Sequence, residues 1–141
     1  DAYGFVRIGS ISSPNPTCFI ITVDLEEANK WEKSLYIFMF ADQIVRVGSS
    51  KGKLSNRLRQ WQRDVSNALC RANGLNAAKT VTPDWEARAW NEIISADGNG
   101  EIYARKATVV TTPVGSFEAY MDEESVLINR HKPRMNRHKN R

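Results

Sequence analysis

Apolar residues recur along the chain at two different spacings. Through the first third they come in short runs: Tyr3 to Ile11, Thr17 to Val23, Leu35 to Phe40 and Gln43 to Val47. Runs of this length, rich in β-branched and aromatic residues and bounded by turn formers, predict strands. Ser12-Ser13-Pro14-Asn15-Pro16 is turn chemistry, so the first two runs are expected to pair as an N-terminal β-hairpin. The break around Asp42 is short enough for the third and fourth to form a second hairpin.

From Leu54 the spacing changes. Leu54, Leu58, Trp61, Val65 and Leu69 fall on one helical stripe, and Asn73-Gly74 supplies a C-terminal stop. Thr82-Pro83 opens a second helix that runs to about Ala96, and Gly98-Asn99-Gly100 breaks it. Glu101 to Val110 predicts a further strand. A last helix is expected from about Phe117 to Asn129, with Pro133 preventing simple continuation. This order predicts an α+β fold, a small central antiparallel sheet with flanking helices plus the N-terminal hairpin. The expected organisation is one domain over 1–141: a strand extension over 1–33, a core over 34–136 with an insert at about 73–100, and a basic tail over 129–141.

Composition adds little until its distribution is considered. The chain has 141 residues, 41% hydrophobic and 26% charged, which is ordinary globular usage. Its longest apolar run, Leu35 to Ala41, is too short to span a bilayer. Cys18 and Cys70 lack the paired spacing of a metal site and are expected as reduced thiols in a cytoplasmic compartment. No signal peptide is visible, and the start at Asp1 rather than Met predicts an upstream segment.

The net charge is +4, but it is concentrated. Between Ile44 and Gly74 stand Arg46, Lys51, Lys53, Arg57, Arg59, Arg63 and Arg71 against one acid, Asp64. Between Asn129 and Arg141 stand Arg130, Lys132, Arg134, Arg137, Lys139 and Arg141, with His131 and His138 and no acid. Two such clusters make one phosphate-binding surface if the fold joins them, or plain solvated faces if it does not.

Four residues stand out against the hydrophobic pattern. Glu124 falls on the side of the last helix that also carries Phe117, Tyr120, Met121, Leu127 and Ile128, where a carboxylate needs a cation, a metal or hydrogen bonds. Arg57 lies roughly 80° from the centre of the first helix's apolar stripe, at the edge of the core, while Arg59 and Arg63 lie on the solvent side. Tyr36 sits within an apolar strand, and Arg46 is the lone charge between Val45 and Val47. A hairpin register that sets Tyr36 opposite or diagonal to Arg46 puts both on one face, where a cation favours the phenolate.

These placements, taken in order, resemble the GIY-YIG nuclease superfamily. Ser34-Leu35-Tyr36 stands at the first signature, Arg46-Val47-Gly48 at the second, and Arg57-Leu58 on the following helix. Glu124-Ser125-Val126-Leu127-Ile128, continuing through Lys132-Pro133-Arg134-Met135 to Asn136, is similar to the family's closing stretch. The chain departs from the pattern at Ser34, in place of a glycine, and at Arg46, in place of the second tyrosine, as in some restriction-enzyme-like members. It departs again at Trp61, where many members have a histidine.

The resemblance implies a Mg²⁺-dependent (or Mn²⁺-dependent) endonuclease acting on double-stranded DNA. It implies Glu124 as the metal ligand, Tyr36 as general base, Arg57 with Arg46 as charge stabilisers and Asn136 as an orienting group. Lys51, Lys53, Arg59, Arg63, Arg130, Lys132 and Arg134 are the expected DNA contacts. Three roles remain open at this point: a sequence-specific restriction enzyme, expected as a homodimer; a nonspecific toxin domain acting in a target cell's cytoplasm, with an immunity protein as partner; or a non-catalytic DNA-binding module. Trp85 and Trp90 on the insert helix read as core residues or as DNA contacts.

Overall fold

The computed structural model describes residues 3–15 and 17–139, the last three by backbone alone. The side chains of Arg137, His138, Lys139 and Arg141, expected in the basic tail, therefore lie outside the described residues.

Strands β1 (Val6–Ser12), β2 (Ile20–Val23), β3 (Ser34–Phe40), β4 (Gln43–Ser50) and β5 (Gly100–Lys106) form one sheet in the order β2-β1-β5-β3-β4. All its pairings are antiparallel. The expected N-terminal hairpin is present as β1 and β2. It joins the central sheet through β5, so it extends that sheet rather than standing apart from it.

Helices α1 (Leu54–Ala72), α2 (Asp84–Asp97) and α3 (Tyr120–His131) flank the sheet. The five residues of the predicted α1 stripe are all buried. They pack with Tyr36, Phe38, Phe40, Phe19, Trp90 and Ile93 in one core, so the segment expected as an insert contributes its helix α2 to the main interior. A second, smaller core lies on the other face of the sheet, where α3 sets Tyr120, Leu127 and Ile128 against Leu35, Ile37 and Val47. Strand β3 is thus covered on both sides, which explains its unbroken apolar run.

Two expectations require correction. The strand expected over Glu101 to Val110 ends at Lys106, and the chain resumes as a separate ribbon of β6 (Val109–Thr112) and β7 (Gly115–Glu118). Phe117, expected on the last helix, is in β7 opposite Val110 and is 52% exposed. Pro113 and Gly115, the latter at φ 147°, turn the chain between these strands. Helix α3 accordingly begins only at Tyr120.

Two local devices position the next elements. Phe40 pairs with Gln43 across a two-residue turn whose Ala41 and Asp42 both have positive φ, the geometry that matches the twist of a tight hairpin. At the far end of α3, Lys132 adopts the left-handed conformation at φ 48° and Pro133 follows. The chain cannot continue as a helix there, and it turns back so that Met135 and Asn136 are buried against β4.

The β3–β4 register sets Tyr36 opposite Gly48 and Phe38 opposite Arg46. Only glycine fits opposite the tyrosine, since a Cβ at position 48 would lie 2.3 Å from Tyr36 Cζ and Oη. Gly48→Ala is therefore expected to lower unfolding stability by about 1–3 kcal/mol, the usual cost of forcing extra volume into a packed core. An unchanged urea midpoint would show that the ring can move aside.

Candidate active site

Tyr36 and Arg46 are diagonal neighbours in the hairpin, two residues apart in register, and so share a face of the sheet. A bulge in the β3–β4 pairing, between the Phe38–Arg46 and Met39–Ile44 pairs, leaves Val45 without a partner. Val45 joins the α1–α2 core while Ile44 packs on the α3 side. Bulges of this kind re-aim the adjacent side chain, and here that side chain is Arg46.

Arg46 is only 8% exposed. Its Nη1 donates to the Met135 carbonyl at 2.9 Å, and its guanidinium lies 5.0 Å from the centre of the Trp61 ring, within cation–π range. Its Nε is buried without a hydrogen-bond partner.

The Tyr36 side chain is fully buried. Its hydroxyl oxygen accepts hydrogen bonds from Trp61 Nε1 at 2.6 Å and from Arg57 Nε at 3.3 Å. Arg57 also donates from Nη1 to Gln60 Oε1 at 3.2 Å. Trp61, at the position where the resemblance expects histidine, is a donor only. It can hold the phenol oxygen as an imidazole N–H would, but it cannot take up a proton.

Asn136 is fully buried, and its amide forms a two-way clamp on the backbone of Val47: Oδ1 accepts from Val47 N, and Nδ2 donates to Val47 O, each at 2.9 Å. The side chain thus behaves as a short added strand on the edge of β4, between Arg46 and Gly48.

Arg46, Arg57, Trp61, Trp85 and Glu86 line a cleft of about 350 Å³ between α1, α2 and β4. Glu86 was not among the residues singled out in the sequence, although it meets the criterion applied to Glu124. It lies on the α2 stripe with Trp90, Ile93 and Ile94 and is 7% exposed. Burial raises its carboxyl pKa above the ordinary value, and the positive charge of Arg46 opposes that rise. The buried indole N–H of Trp90 borders the carboxyl group and also opposes the rise.

Glu124 lies elsewhere. It is half-buried on α3, one turn from Tyr120 and from Ile128, on the helix side that packs against β4 from the opposite face of the sheet. Its neighbour Glu123 forms an ion pair with Arg105, and Asp122 is exposed. Among the described residues no three His, Cys, Asp or Glu side chains cluster as a metal site.

The expected DNA contacts are all exposed but scattered. Lys51 and Lys53 flank the start of α1. Arg59 bonds to Asn56 and the Ser55 carbonyl beside the groove facing β2, away from the cleft. Arg63 leans on Asp64 at 3.5 Å, Arg130 on the Tyr3 ring, and Arg134 pairs with Glu92 of α2. Lys132 caps α3. His131 is also at the surface, 2.9 Å from the Tyr3 hydroxyl. Of the two tryptophans in question, Trp90 is fully buried in the core and Trp85 packs partly against it at the cleft. No helix among the described residues is long and apolar enough to cross a membrane.

Among solved structures, the fold is similar to that of a mutant of bacteriophage T4 EndoII, with a TM-score of 0.61 over 96% of this chain and 93% of that one at 16% sequence identity. Restriction endonuclease HPY188I in complex with product DNA superimposes more loosely, with a TM-score of 0.49 over 91% of this chain and 76% of that one, also at 16% identity. At these identities the likeness is one of fold. No protein-family model and no curated protein sequence matches the chain.

The Asn136 clamp yields a specific expectation. Asn136→Ala leaves a buried N–H and a buried carbonyl of β4 without partners, at about 1–3 kcal/mol for each group stranded. Hydrogen exchange at the Val47 amide should accelerate in that variant, and unchanged protection would show that the clamp is dispensable.

Proposed function

We propose that the chain is an endonuclease that hydrolyses phosphodiester bonds of double-stranded DNA at the cleft between α1, α2 and β4. The observation that carries this reading is the convergence of Arg46 and Arg57 on that cleft. One of these arginines is held almost without solvent, and its Nε has no hydrogen-bond partner, which leaves a donor for an anion entering the cleft. The shared fold with the phage endonuclease supports it, as does the order of the residues resembling the GIY-YIG pattern.

In this reading Arg57 and Arg46 bind the scissile phosphate and stabilise the charge that grows on it as the bond order at phosphorus changes. Tyr36 fixes Arg57 through its phenol oxygen. The two N–H donors would stabilise its phenolate and leave one lone pair free for the proton uptake that the resemblance implies. Asn136 and the Met135 carbonyl hold β4 and the guanidinium of Arg46 in place.

Glu124 is the residue that would hold a divalent cation. It stands across β4 from the arginine cleft, and its single carboxylate is a sparse donor set that suits only an ion keeping most of its waters, such as Mg²⁺. An ion held there would offset negative charge of the DNA backbone. The exposed basic residues around α1 and after α3 would contact the flanking backbone and make affinity fall steeply with salt.

Supercoiled plasmid incubated with the protein and Mg²⁺ should be cleaved, and EDTA should stop the reaction. Glu124→Gln and Arg57→Ala should each lose roughly 10²-fold or more in rate while remaining folded. Retardation of DNA without cleavage, under every divalent cation tried, would favour a binding module instead.

A further inference from the structure

The hydrolytic reading leaves a buried acid unused. Glu86 lines the same cleft as the two arginines, is shielded from solvent by α1 and α2, and belongs to no ion pair closer than 4.0 Å among the described residues. At the cleft, Arg46 Nε is buried without a hydrogen-bond partner. The other charged groups facing the cleft are Arg57 and Asp64, both from α1, while Arg88 on α2 is exposed and Glu92 is engaged by Arg134. The cleft therefore holds two arginines and one carboxyl group, that of Glu86, almost shut off from solvent.

A hydrolase needs a group to accept a proton from the attacking water. Tyr36 is fully buried and contributes nothing to the cleft lining. Trp61 has no basic atom, and Asp64, the other carboxylate of the lining, is engaged by Arg63 at 3.5 Å. Glu86 lines the cleft directly, with the indole N–H of Trp90 and the charge of Arg46 beside its carboxyl group.

We infer that Glu86 is the proton acceptor of the reaction, holding the attacking water in the cleft opposite Arg46 and Arg57. The inference rests on the phosphodiesterase reading. In the step, a water O–H bond breaks and its proton passes to the Glu86 carboxylate as the water oxygen bonds to phosphorus. The bond from phosphorus to one sugar oxygen breaks, and that oxygen leaves with the electron pair and takes a proton from solvent. Glu86 then returns its proton to solvent, so the sum is the addition of one water across one phosphodiester.

The burial that raises the carboxyl pKa suits this role, because a base works best when its pKa approaches the working pH. The same burial has a stability consequence of definite sign. An acid whose pKa is raised by folding stabilises the fold when protonated, below its unfolded pKa, and that contribution disappears as pH rises through the raised value. Glu86→Gln, which stays neutral, should melt at or above the wild-type temperature at neutral pH.

The test compares wild type, Glu86→Gln, Glu86→Asp and Tyr36→Phe in single-turnover plasmid cleavage with Mg²⁺ across pH, alongside melting and DNA retention in EDTA. Glu86→Gln is expected to keep its fold and its retention of DNA while losing at least about 10²-fold in rate. It should also lose the decline in rate that wild type shows as pH falls. Glu86→Asp should keep that decline at a lower rate, and Tyr36→Phe should keep it too. A Glu86→Gln rate within threefold of wild type, or a pH decline lost in Tyr36→Phe but kept in Glu86→Gln, overturns the assignment while leaving the nuclease reading intact. A folded wild type that cleaves nothing overturns both.

Discussion

The site is organised around a guanidinium that cannot be neutralised. Guanidinium groups keep their charge in proteins, and the fold leaves Arg46 8% exposed. A charge so placed must be compensated by fixed dipoles and π-faces. The Met135 carbonyl, the Trp61 ring and the charge of Glu86 provide this. Each comes from a different element, so β4, α1, α2 and the segment after α3 have to be assembled together before Arg46 is tolerable. The bulge at Val45 directs the side chain inward, and the Asn136 clamp seals the strand edge beside it.

That requirement also links the two faces of the sheet. Strand β3 has the α1–α2 core on one side and the α3 core on the other. Strand β4 is the edge where those layers meet, with the arginine cleft on one face and the helix bearing Glu124 on the other. An edge strand is the place where a polar site can be reached from both layers without opening either core. The cost of exposing its backbone is offset by the side chain of Asn136, which replaces the missing neighbour strand at Val47.

Much of this was legible in the sequence because it depends on periodicity. The α1 stripe at Leu54, Leu58, Trp61, Val65 and Leu69, the β3–β4 hairpin and the diagonal placing of Tyr36 and Arg46 all follow from spacings of 2 and 3.6 residues. The β6–β7 ribbon was not legible, since its exposed side chains carry no inward-facing pattern, and Phe117 was attached to the helix that follows. Glu86 could have been found by the same test that selected Glu124, an acid on an apolar stripe. What no local pattern reveals is that α2 forms a wall of the cleft. The partners of Tyr36 and Asn136 are tertiary, formed across 25 and 89 residues of chain, and no local pattern encodes them.

The central claim is that the enclosed charges are kept for chemistry and not for the fold. Replacing a buried charge pair together by uncharged side chains of similar volume is commonly neutral or stabilising, so the direct measurement is on the double variant Arg46→Met, Glu86→Gln. Thermal unfolding and Mg²⁺-dependent plasmid cleavage, measured on the same preparation, should show a protein that melts at or above the wild-type temperature and does not cut. A double variant that melts well below wild type, yet cleaves at the wild-type rate per folded molecule, would contradict the account.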